Sequence, residues 1–139
     1  MKMLLLKARL VGKDGRELAV ELFPQAVKIT DGEEGICRLA EFYHLLSCDC
    51  VDIVTDEIGG KQFELIVDDE GLLKPGHFPR WVRANGEPIY GDLLFAHTDR
   101  ATGELTGIEN GDIDLLKKEI LRRMALGVLI KATSKKEKK

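Results

Sequence analysis

Leu4, Leu6, Ala8 and Leu10 alternate with Leu5, Lys7 and Arg9, which predicts a strand with one apolar face ending near Val11. Gly12-Lys13-Asp14-Gly15 supplies a turn. Leu18, Val20 and Leu22 then alternate with Glu17, Ala19 and Glu21, completing an antiparallel hairpin. Pro24 is expected to end the second strand, with Ala26 to Ile29 adding a short extended piece before the acidic turn Asp31-Gly32-Glu33-Glu34. Ile36, Leu39, Ala40, Tyr43 and Leu46 recur at helical spacing, and Phe42 widens that stripe.

A second hairpin follows. Cys50, Asp52, Val54 and Asp56 alternate with Val51, Ile53 and Thr55, Ile58-Gly59-Gly60-Lys61 turns the chain, and Phe63, Leu65 and Val67 share a face of the returning strand. Asp69-Glu70-Gly71 should turn it again. Residues 74–92 hold three of the four prolines and no sustained periodicity, and read as a long loop. Leu93, Phe95 and His97 against Leu94, Ala96 and Thr98 predict another strand. A final helix starts between Thr106 and Asn110, since Thr106 with Glu109 matches a capping box, and Ile113, Leu116, Ile120, Leu121 and Met124 form its apolar stripe.

That order of elements is α+β: one small domain over residues 1–130, with an antiparallel or mixed sheet of hairpins packed against two helices. The chain has 139 residues, enough for a core without disulfides, and 44% hydrophobic with 32% charged residues is ordinary for a globular protein. Lys7 and Arg9 interrupt the apolar N-terminus, and no apolar run nears the roughly 20 residues that span a bilayer. Three cysteines without a secretory signal point to the cytoplasm and away from membranes. Residues 131–139 carry five lysines against Glu137 and are expected to be a disordered tail.

The helix leading to Cys50-Val51-Asp52-Ile53-Val54, the run Leu65-Ile66-Val67-Asp68-Asp69-Glu70-Gly71-Leu72-Leu73-Lys74, Asn85, Gly91-Asp92 before a strand, and Thr106 near the last helix together resemble a family of small bacterial and phage proteins, domain-of-unknown-function family number 3846. The resemblance covers roughly residues 36 to 120. It implies a small intracellular protein carried by phages or mobile elements, and supplies no catalytic residues. Two features depart from the pattern: Cys48-Asp49-Cys50 stands where a glycine pair is usual, and the segment between Gly71 and Asn85 is longer and more basic.

Charge is unevenly placed. Residues 31–70 hold twelve acids against two bases, a net of −10 in a chain whose total is −3. Asp52, Asp56, Glu57, Glu64, Asp68, Asp69 and Glu70 therefore make a candidate acidic face for a protein partner, a host protein if the chain is a phage or mobile-element accessory. The contrasting stretch is basic and aromatic. Lys74, His77, Phe78, Arg80, Trp81 and Arg83 form an alternative site, in which cations hold the phosphates of a small molecule or nucleic acid and an aromatic ring stacks on a base. Cys37, His44, Cys48 and Cys50 are weak metal candidates because C-x-C beside a strand is not a zinc-ribbon spacing, so neither a metal nor a cofactor is expected. His97 with Asp99, or His77 with a hairpin acid, would be the acid/base pairs of an enzyme, yet no nucleophile elbow or phosphate loop accompanies them. The sequence reads as a non-catalytic interaction protein.

Overall fold

The computed structural model describes residues 2–13, 17–29, 36–71 and 79–126. The N-terminal hairpin is β1 (Lys2–Lys13) with β2 (Glu17–Lys28), paired antiparallel along their whole length. β2 does not stop at Pro24, which lies opposite Leu6 inside the strand. The continuation is possible because β2 is the outer strand of the sheet, and an outer strand has one side on which a missing N–H breaks no ladder bond.

α1 (Ile36–Leu46) leads to β3 (Val51–Ile58) and β4 (Lys61–Asp68). Gly59 and Gly60 join these strands at φ 60° and 79°, the left-handed pair that a two-residue hairpin turn requires. Then come β5 (Pro79–Val82), β6 (Pro88–Tyr90), β7 (Leu93–Thr98), β8 (Leu105–Thr106) and α2 (Asn110–Leu126). The main sheet runs β2-β1-β7-β4-β3, antiparallel throughout, with β8 added to β7; β5 and β6 form a separate two-stranded ribbon. The protein is a small α+β domain.

β1, β7 and β4 are apolar on both faces because both faces are covered. Leu4, Leu6, Phe63, Leu65, Leu93 and Phe95 pack under the β5–β6 ribbon and α2, where Trp81, Ile89, Ile113, Leu116 and Ile120 meet them. Met3, Leu5, Ile66, Leu94 and Ala96 point the other way, against Phe42, Leu46 and Cys48. Leu5, read with the polar positions of its strand, is thus core, as expected of an inner strand lined on both sides. On α1 Phe42 is the anchor and Ala40 is exposed. On α2 Leu121 is 66% exposed: one residue past Ile120 turns the chain about 100° away from the core stripe.

The segment expected to be one long loop contains the β5–β6 ribbon. Arg83 N–H donates to Glu87 C=O and Gly86 N–H to Arg83 C=O, while Asn85 Oδ1 accepts the Glu87 N–H at 2.9 Å, so Asn85-Gly86 forms a tight turn with Gly86 at φ 90°. What fastens the ribbon to the sheet is Asp56, only 4% exposed. Its Oδ2 accepts the Trp81 Nε1–H at 2.9 Å and its Oδ1 the N–H of Ala84 at 2.8 Å. Trp81 is fully buried, edge-on to Phe95 at 5.2 Å between ring centroids. A second fastening needs no side chain. A Cβ on Gly71 would lie 2.3 Å from the Tyr90 carbonyl oxygen, so the chain leaving β4 can touch β6 only as glycine.

Asp56→Ala removes the acceptor of three donors at once, the Trp81 indole and the Ala84 and Glu57 amides, and should destabilise the fold by about 2–4 kcal/mol. Urea unfolding measures this, and an unchanged midpoint would show that the ribbon does not depend on Asp56.

Candidate functional site

The strand period divides the acidic residues between two sides of the sheet. Asp52 and Asp56 lie on the side of Val54 and Ile58, whereas Glu57 and Glu64 lie on the opposite side with Thr55, whose Oγ1 donates to Glu64 Oε2 at 3.1 Å. The expected single acidic face is therefore not one surface. Asp56 is buried and engaged with Trp81 and Ala84, and Asp68 is buried with its Oδ1 accepting the Glu70 N–H at 2.9 Å, which shapes the turn after β4. Asp52, Glu57, Asp69 and Glu70 are exposed, and Glu64 is half-buried.

Part of the set does converge. A groove of about 390 Å³ opens between the β3–β4 strands and the β6 end of the ribbon, and the acidic residues Asp52, Asp68, Asp69 and Glu87 are among those that line it. Val54, Val67, Pro88, Ile89 and Tyr90 supply apolar surface, and among the described residues no lysine or arginine lines it. Glu87 was not singled out in the sequence; the Asn85-Gly86 turn that returns it to the groove was the available signal. Arg83 stands behind the groove, its Nη1 3.3 Å from Glu87 Oε1 and its remaining donors on the Thr55 carbonyl.

The basic, aromatic alternative fares differently. Trp81 cannot stack on a base, because the indole is fully buried and hydrogen-bonded to Asp56. Arg83 is committed to Thr55 and Glu87. Lys74, His77 and Phe78 lie outside the described residues, as does the side chain of Arg80 within β5. Of the weak metal candidates, Cys48 is buried against α1, His44 and Cys50 are exposed, and the side chain of Cys37 is not described. Among the described residues no group of three or more His, Cys, Asp or Glu is placed to hold a metal ion.

A second polar groove, about 580 Å³, lies where β4 begins and α2 starts. Asp112, 3% exposed, is its centre. Oδ2 accepts the Glu109 N–H at 3.0 Å and lies 3.0 Å from His97 Nε2, and Oδ1 meets the Lys61 ammonium. Glu109 is the N-cap, since its carbonyl accepts the Ile113 N–H, and Asp112 three residues on reaches back to its amide. The cap is therefore three residues later than the Thr106–Glu109 box places it, Thr106 being taken up in β8. His97 stacks on Phe63 and pairs with Asp112, not with Asp99, which accepts the Ala101 N–H in the turn after β7. Among the described residues no serine or cysteine lines this groove, and its ion cluster joins α2 to β4 and β7.

Burial pushes the Asp112 carboxyl up, but the Glu109 amide, the Lys61 and His97 hydrogen bonds and the electrostatic effect of the His97 ring together hold it below the ordinary carboxylate range. A carboxyl lowered by folding stabilises the fold above its unfolded value, and that contribution is lost as pH falls through the folded one. The stability gap between the wild type and Asp112→Asn should accordingly be full near neutrality and close on acidification below the ordinary carboxylate value. Urea titrations across acid pH measure it, and a gap that widens toward acid contradicts the assignment.

No protein-family model, curated protein or solved structure matches the chain. Among the described residues no helix is long and apolar enough to cross a membrane.

Proposed function

We propose that this protein is a non-catalytic interaction protein that receives a basic segment of a partner in the acidic groove between β3–β4 and the β5–β6 ribbon. The observation that carries the reading is a groove lined by four acidic residues beside apolar ones, with no lysine or arginine among the described residues that line it. Lysine and arginine have that same double character: their methylene stems cover apolar surface while the charged head seeks carboxylates. Val54, Val67 and Ile89 suit the stems, and Asp52, Asp69 and Glu87 the heads. Asp68 and Gly71, both within the run that carries the family resemblance, line the same groove. A host protein would be the source of the segment if the chain is a phage or mobile-element accessory. The negative field of the β3–β4 region would also speed encounter with a basic partner, an effect that salt screens.

Peptides alternating lysine or arginine with aliphatic residues are the probe, with glutamate replacing the basic residues in controls. Calorimetry should show binding of the basic peptides alone, weakening as salt rises. Asp69→Lys combined with Glu87→Gln should lower affinity roughly tenfold. Equal affinity for wild type and variant, or binding insensitive to salt, would overturn the proposal.

A further inference from the structure

Among the described strands β3 is the outermost on its side of the sheet, and Ile53 at its middle is 46% exposed. A two-residue turn closes on a hydrogen-bonded pair, here Ile58 with Lys61, so the even-numbered residues of β3 aim their N–H and C=O groups at β4. Those of Val51, Ile53, Thr55 and Glu57 then point outward. The hydrogen bonds agree with this. Ile53 N–H donates to Asp52 Oδ1 at 2.8 Å, Glu57 N–H donates to Asp56 Oδ1 at 3.1 Å, and the Thr55 carbonyl accepts from Arg83 Nη2 at 2.6 Å and Nε at 3.2 Å. All three of these outward groups are occupied by side chains, two by the preceding aspartate and one by an arginine that reaches over from the ribbon. An outer strand whose outward groups were open would be a template for another chain.

The outward residues are also complementary to themselves. In an antiparallel pairing about a two-fold axis at Ile53, that residue meets Ile53 of a second copy and Val51 meets Thr55, so β-branched side chains oppose each other along the seam. Asp52 falls opposite Val54 rather than another carboxylate. This register needs the Ile53 N–H and the Thr55 C=O, and Asp52 and Arg83 hold those two groups. We propose that β3 is a self-pairing edge for a second copy of this chain, centred on Ile53, and that Asp52 and Arg83 keep it shut. Opening it would join two sheets into one continuous sheet across β3.

The test uses Asp52→Ala with Arg83→Ala, read by sedimentation over a range of concentrations and by amide exchange at residues 51–57. Circular dichroism checks that the variant folds, and Arg83→Gln alone is the variant to read if it does not. The wild type should sediment as a monomer, and the opened variant as a dimer with slowed exchange at Ile53. Adding Ile53→Pro deletes the central outward donor and should restore the monomer. A folded variant that stays monomeric, a dimer that survives Ile53→Pro, or a wild type already paired through β3 would each overturn the proposal.

Discussion

A carboxylate almost sealed from solvent holds the upper layer of this molecule in place. Asp56 belongs to a strand whose pattern suggests a solvated acid, yet its oxygens face the Trp81 indole and the Ala84 amide. Burying a carboxylate is costly unless its hydrogen-bonding capacity is met, and a ribbon of two short strands has little apolar area with which to dock by itself. Each therefore depends on the other. The ribbon closes the space over Asp56, and Asp56 gives the ribbon a fixed point from which Trp81 reaches Phe95 in the core.

The acidic groove follows from that docking. Once the ribbon lies beside β3, its returning strand brings Glu87, Ile89 and Tyr90 across from Asp52 and Val54. The same approach sets Arg83 on the Thr55 carbonyl. Docking, groove and protected edge thus rest on one placement of the ribbon, and a change there moves all three.

β1, β4 and β7 were the most legible part of the fold, because short apolar runs bounded by charged or turn residues mark inner strands, although reading them as alternating put Leu5 with the polar positions. β5 and β6 were not legible. Strands of four and three residues are too short to show a period, and Pro79 and Pro88 at their starts read as loop signals. The acidic site was half legible for a related reason. Counting carboxylates along the chain finds the charge, but the strand period sends neighbouring acids to opposite sides, and only the ribbon, invisible to periodicity, shows which of them meet. Asp112 was hidden by its chemistry, since an aspartate at the third helical position looks like any acid favouring a helix start until its reach back to Glu109 is seen.

The position of β7 bears on how the chain reaches this form. Each outer pair of the sheet, β1 with β2 and β3 with β4, is a hairpin of neighbours in sequence, available as soon as its own residues exist. β7 lies between the two pairs, against Leu4–Leu6 on one side and Glu64–Val67 on the other. The middle of the sheet is thus supplied after both of its flanks, and neither hairpin has its inner partner until Leu93–Thr98 arrives. Closing contacts of such long sequence separation make folding slow relative to the local steps. On a ribosome, the two halves would wait as separate hairpins with one apolar edge each, joined only when nearly a hundred residues had emerged.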